Sequence, residues 1–124
     1  MTYAILWQGD YLIASIQSDL SDAEVLDLRD AVADAIGQYR TRGVIVDVGG
    51  LDVIDSFVTR SLRAIAVTAR LRGAETIIVG IQPDVAIAMV QFGLNLEPLR
   101  VALDLDQALA MLALRDRRGT EDGR

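Results

Sequence analysis

Two hydroxyl side chains, Ser56 and Thr59, lie about one helical turn apart, and three carboxylates, Asp47, Asp52 and Asp55, come just before them. Ile54-Asp55-Ser56 precedes an apolar stripe of helical spacing, so Ser56 reads as a helix N-cap. The same position suits a phosphoacceptor. A serine at a helix start is at the surface, and a phosphate there meets free backbone amides and the positive end of the helix dipole. Thr59 is a second hydroxyl of the kind a kinase could use, although a threonine one turn into a helix can bond back to the preceding turn. Asp47 ends an apolar strand, where α/β proteins often place a functional aspartate. A phosphoacceptor aspartate would want partner carboxylates after the first strand and a lysine after a late one, and neither is present. Three carboxylates in one loop more often face water than hold a metal, so no metal site is assigned. Gly49-Gly50 lacks the lysine and the spacing of a phosphate loop, and is expected to supply positive φ where the chain leaves the strand.

Composition narrows the chemistry further. The 124 residues contain no cysteine, no histidine and no lysine; all 12 basic residues are arginine. Disulfides and thiolate chemistry are excluded. The commonest general base and metal ligand is missing, as are Schiff-base chemistry and the phosphate-loop lysine. The expectation is an interaction module, not an enzyme, with no cofactor. A net charge of −6 argues against nucleic acid or an anionic membrane as partner. The N-terminal run breaks at Gln8-Gly9-Asp10 and lacks a basic flank, and no eighteen consecutive residues are apolar. Neither a signal peptide nor a membrane span is expected, and the cytoplasm is the expected location.

These residues need a scaffold, and its elements are legible from periodicity. Residues 3–7 and 11–16 read as two strands of a hairpin turning at Gly9-Asp10. Ser21-Asp22-Ala23-Glu24 is a capping box, with Leu20 and Val25 as its hydrophobic staple. Val25, Leu28, Val32, Ala35, Ile36 and Tyr39 form the inward stripe of the helix that follows, with Gly43 as its stop. Residues 44–48 are a buried strand. The second helix opens at Ser56 with Val58, Leu62, Ile65, Ala66 and Ala69 inward, and stops near Gly73. Residues 76–81 are another buried strand. Pro83 suits the first turn of a third helix, with Val85, Ala88, Met89 and Phe92 inward. A strand at 99–102 leads to a last helix capped by Asp104, burying Leu105, Ala108, Leu109 and Leu112. The expected fold is α/β, a small mixed sheet with an N-terminal hairpin and flanking helices. It forms one domain over residues 1–114, followed by a flexible polar tail at 115–124.

Val44–Val48, the glycine loop and Val53-Ile54-Asp55-Ser56 opening a helix resemble the switch segment of STAS domains, the fold of anti-sigma-factor antagonists. The run Val53 to Arg60, and the opening Gly9-Asp10-Tyr11-Leu12-Ile13-Ala14-Ser15-Ile16-Gln17 with Asp19-Leu20-Ser21-Asp22, are most similar to the RsbS-type stressosome antagonists. The resemblance covers the chain to about Leu114. It implies a non-enzymatic scaffold of a bacterial stress-response complex, with RsbR-like sensor-bearing STAS proteins as partners in a homo- or hetero-oligomer. It further implies an RsbT-like serine/threonine kinase that is held and then released on phosphorylation of Ser56, with Asp55, Phe57, Val58 and Thr59 contacting partners. Phe57 and Val58 depart from the Asp-Ser-Ser-Gly pattern of sporulation antagonists, which weakens a direct contact with an anti-sigma factor. Two alternatives stay open. One is a stand-alone STAS subunit docking a transport or lipid-trafficking complex, with Ser56 only a helix cap. The other is a small enzyme or ligand carrier, for which an apolar pocket with convergent charged groups is the requirement.

Overall fold

A computed structural model describes residues 2–123, with side chains through Arg118. The hairpin forms from β1 (Tyr3–Gln8) and β2 (Tyr11–Ile16), paired antiparallel with Tyr3 opposite Ile16. Gly9 takes φ +59° at the turn, a conformation with little cost only for glycine. Helix α1 (Asp22–Gln38) begins with the expected capping box: the Glu24 amide donates to Ser21 Oγ, and the Ser21 amide donates to Glu24 Oε1. There follow β3 (Gly43–Asp47), α2 (Ser56–Leu71), β4 (Glu75–Val79), α3 (Pro83–Gln91), β5 (Arg100–Ala102) and α4 (Leu105–Gly123).

The sheet order is β1-β2-β3-β4-β5, with β2 through β5 parallel. Helices α1, α2 and α3 cover one face, where Val32, Val46, Leu62, Ile78 and Met89 share a core. Helix α4 covers the other, with Ala108 and Leu112 against Ile45 and Ile77. Val44, Ile45 and Val46 are fully buried because both faces of β3 are covered. Each such side chain contributes about 1.5–3 kcal/mol of transfer free energy.

Four expectations give way. Helix α1 ends at Tyr39, which is 58% exposed and meets Trp7 edge-to-face at 5.6 Å between ring centres. Gly43 does not stop that helix; it opens β3, and a Cβ there would fall 2.6 Å from Leu112 Cδ1, so the glycine admits α4. Phe92, expected inward, is the exposed C-cap of α3, since that helix is too short to bring a third turn back to the sheet. The polar tail expected from Arg115 begins instead as helix. Arg115 Nε pairs with Glu75 Oε2 at 3.2 Å, and the Tyr11 hydroxyl donates to Asp116, which ties α4 to β4 and β2. Side chains beyond Arg118 lie outside the described residues.

Candidate functional site: the loop and helix start after strand β3

In a parallel sheet the loops leaving the C-terminal strand ends converge at one edge. Here the loops after β2, β3 and β4 meet there, and the longest, residues 48–55, leads into α2 with Ser56 as its first residue. Leu51 and Ile54 are buried and anchor this loop on the core, leaving Val53 exposed between them. The loop is also held by polar contacts. Asp47 Oδ1 accepts from the Gly49 amide at 2.9 Å. Asp19, from the loop after β2, accepts from the Asp52 amide at 2.9 Å. Gln82, from the loop after β4, donates from Nε2 to Gly49 O at 3.0 Å and Leu51 O at 3.1 Å, with Asp52 Oδ1 at 3.4 Å.

The two glycines act through space, not through positive φ as expected. Neither takes the left-handed conformation; Gly80, across from them, does, at φ +77°. A Cβ on Gly50 would lie 2.5 Å from Ile16 O and from the Gln17 carbonyl carbon, so only glycine lets the loop cross the end of β2. The strand expected at 76–81 ends at Val79 for the same local reason, because Gly80 turns the chain away beside Asp47.

Helix α2 is capped one residue earlier than expected. Asp55 is the N-cap, with extended backbone (φ −93°, ψ −176°), and its Oδ1 accepts from the Val58 amide at 2.8 Å. Ser56 is therefore the first helical residue. It is exposed, and its hydroxyl makes no hydrogen bond among the described residues. The alternative in which Ser56 serves only as a cap loses its structural half. Thr59 behaves as its local chemistry suggested: it is 4% exposed, and its Oγ1 donates to Asp55 O at 2.8 Å. That removes Thr59 from the accessible surface, both as acceptor and as partner contact. Phe57 and Val58 are half-buried, Val58 against the core, so the exposed apolar contact beside Ser56 comes from Val53 and the edge of Phe57.

Sequence reasoning missed Gln82 and Asp19. No local pattern marks them, since both act across more than 30 residues of chain. Only the rule that loops gather at the C-terminal edge of parallel strands pointed to their position. Asp47, Asp52 and Asp55 are each engaged with protein groups, and among the described residues no His, Cys, Asp or Glu group has metal-holding spacing. A cleft of about 620 Å³ lies at the opposite end of the strands, lined by Tyr39, Arg40, Arg42, Leu71 and Arg72. Its lining is rich in guanidinium groups, of which Arg42 pairs with Asp10 Oδ2 at 3.5 Å. Among the described residues no helix is long and apolar enough to cross a membrane.

Comparison with known proteins agrees with this geometry. RsbS of Moorella thermoacetica, solved as a serine-to-glutamate variant, is 32% identical and superposes with a TM-score of 0.80 over 94% of this chain and 99% of that one. A chain from the molecular architecture of the stressosome, a signal integration and transduction hub, is 34% identical with a TM-score of 0.76, covering 92% and 99%. The curated relative RsbT co-antagonist protein RsbRD of Bacillus subtilis is 27% identical over 65% of this chain, which spans only 29% of that protein's length. The STAS domain profile matches residues 5–108, and with this mixed five-stranded sheet and its four helices the chain belongs to the STAS domain family.

Proposed function

We propose that this chain is an RsbS-type antagonist, a non-enzymatic scaffold that assembles with RsbR-like STAS proteins, holds an RsbT-like serine kinase and releases it when Ser56 is phosphorylated. One observation carries the reading: Ser56 is exposed and its hydroxyl makes no hydrogen bond among the described residues, while Asp55 caps the helix. Phosphorylation therefore removes no hydrogen bond and leaves the fold standing. It places nearly two negative charges beside Val53, Phe57 and the carboxylates of Asp52 and Asp55. The cation one turn on is Arg60, exposed on the same helix. A partner surface seated flat on this patch would then have to bury a phosphate, at a cost of several kcal/mol without a cationic partner. Two or more decades of affinity follow at about 1.4 kcal/mol per tenfold. The similarity to the Moorella RsbS over nearly its whole length supports the same reading.

The test is to incubate the chain with candidate kinases and ATP, then map the phosphate by mass spectrometry. Incorporation at Ser56, its loss in Ser56→Ala, and kinase binding retained by that variant are the expected results. Ser56→Asp should weaken kinase binding by about tenfold, since it supplies one charge where phosphate supplies nearly two. Equal labelling of Ser56→Ala, with the phosphate elsewhere, would overturn the site.

A further inference from the structure

Among the described residues one buried side-chain polar atom has no hydrogen-bond partner, the Oγ1 of Thr76. Thr76 is 2% exposed in β4 and shares a sheet face with Ile78, beneath α2. Its register partner on β3 is Val44, which is fully buried. A valine at position 76 would fill nearly the same space and strand no donor or acceptor. Packing therefore does not call for this hydroxyl, and a buried polar group that the protein leaves unpaired is a place where a ligand can supply the partner.

The hydroxyl lies at a basic notch. Strand β5 pairs with β4 only from Ile77 onward, so the sheet edge is open at Glu75 and Thr76. A hollow of about 280 Å³ opens there, and its polar lining is Arg70 of α2, Glu75 and Thr76 of β4, Arg100 of β5 and Arg115 of α4. Three guanidinium groups against one carboxylate leave two positive charges over, in a chain whose net charge is −6. Glu75 is clamped from both sides, with Arg100 Nη1 3.2 Å from Oε1 and Arg115 Nε 3.2 Å from Oε2. Arg115 also donates to Gly73 O at 3.0 Å, so its part is structural. Arg70 pairs with no carboxylate among the described residues, and Arg100 uses only Nη1 on Glu75, so both keep N–H donors for a ligand. Arg70 also offsets the dipole at the end of α2, but neither that nor the Glu75 clamp gives the Thr76 hydroxyl a partner.

We infer that the notch at the β4–β5 edge binds the phosphate group of a small ligand, with Arg70 and Arg100 matching its charge and the Thr76 hydroxyl donating to one of its oxygens. The surplus positive charge selects an anion. Donors arriving from three elements, α2, β4 and β5, suit an oxyanion whose oxygens point in several directions, whereas a flat carboxylate is satisfied by one guanidinium fork. Rotation about χ1 exchanges the threonine hydroxyl and methyl, so a threonine lining the notch can turn its donor into it. The recess of Thr76 restricts the occupant to a small group, and the volume is at the lower end of ligand pockets. Arg70 lies about 21 Å along α2 from Ser56, at 1.5 Å per residue, so this site is separate from the serine and stands without the kinase reading.

The test is an amide NMR titration of the full chain with inorganic phosphate at constant ionic strength. Saturable shifts are expected at Arg70, Thr76 and Arg100, and acetate should not reproduce them. Glycerol 3-phosphate binding more tightly than inorganic phosphate would mark a phosphate ester as the occupant, and equal binding would mark the free ion; both support the site. Thr76→Val should weaken phosphate binding about tenfold or more while the Tm without phosphate stays level or rises, an opposition that a merely structural threonine would not give. Arg70→Gln, at an exposed position, should weaken binding to a similar degree. Arg40→Gln, in the separate arginine-lined cleft, should leave it unchanged. Should Thr76→Val lose its fold by circular dichroism, Arg70→Gln carries the test. The assignment is overturned by an absence of saturable shifts, by shifts gathered at the start of α2 instead, or by acetate binding as well as phosphate. Undiminished binding in a folded Thr76→Val, or an equal loss in Arg40→Gln, would overturn it as well, the latter by showing attraction to basic surface at large.

Discussion

Asp55 and Ser56 are adjacent residues with good capping chemistry, and the structure gives the cap to Asp55. Asp55→Ala removes the acceptor for the Val58 amide and a negative charge at the positive end of α2. The lost cap costs about 1 kcal/mol, and the lost charge–dipole interaction roughly 0.5 kcal/mol more. For a domain of this size 1 kcal/mol corresponds to about 4 °C in Tm, so Asp55→Ala should melt about 6 °C lower. Asp55→Asn keeps an acceptor and loses only the charge, for a decrease of about 2 °C. Ser56→Ala removes a hydroxyl that bonds nothing among the described residues, and should stay within about 0.5 kcal/mol of wild type. Ser56→Asp adds charge at the helix start, worth a few tenths of a kcal/mol, against which the neighbouring Asp55 works. Circular-dichroism melts of the four variants at neutral pH, with phosphate incorporation measured on the same samples, give the comparison. Labelling should vanish in both Ser56 variants without a matching loss of Tm. A Ser56→Ala variant as unstable as Asp55→Ala would refute the cap assignment, and with it the reasoning that the modification leaves the fold alone.

Gln82→Ala should leave the Gly49 and Leu51 carbonyls without their donor; amide exchange across residues 49–52 should speed up while the strands stay protected, and unchanged exchange would show that the buried Leu51 and Ile54 hold the loop alone. Tyr11→Phe should cost about 1–2 kcal/mol by releasing Asp116. Burial first, then the bond to Asp116, pushes the Tyr11 hydroxyl up to about 12, so its contribution should be intact below the ordinary tyrosine range and be lost as pH rises towards about 12. Denaturant melts in alkali, compared with the phenylalanine variant, check this. Glu24 is held below the usual carboxylate range by the Ser21 amide first and the Thr2 hydroxyl second. Its contribution is thus present above the unfolded value and lost as pH falls through the lowered one; Glu24→Gln should flatten the acid limb of stability against pH. Thr76 Oγ1 is buried and without a partner among the described residues, so Thr76→Val should be neutral or stabilise by about 1 kcal/mol in a urea titration.

What was legible in the sequence was what local rules decide. The Ser21–Glu24 box, the turn at Gly9 and the two-sided burial of residues 44–46 follow from chemistry within a few residues, and all are present. The choice between Asp55 and Ser56 as cap was not local. Both have side-chain acceptors, and the start of α2 is set by Leu51 and Ile54 seating the loop on the core. Gly43 and Gly50 were noticed as glycines but given the wrong reasons. Their need is for room beside Leu112 and the end of β2, which only the folded arrangement reveals. The helix beyond Leu114 was hidden because Arg115 and Asp116 look like solvated charges until Glu75 and Tyr11 arrive from elsewhere in the chain.

The way the loop is pinned also bears on what kind of switch this site can be. A modification can act by refolding the segment that carries it, or by changing the surface that a fixed segment presents. Refolding needs an element whose bonds are few or compete with the new charge. Here the 48–55 loop is anchored by two buried side chains and clamped from both neighbouring loops. The helix amide that a phosphate would most readily take is already held by Asp55. Beyond the exposed Arg60 one turn on, a phosphate on Ser56 has little to gain inside the domain, and it faces outward. The free energy of the modification then falls on whatever is docked there, which is the property a release switch requires and a conformational switch does not.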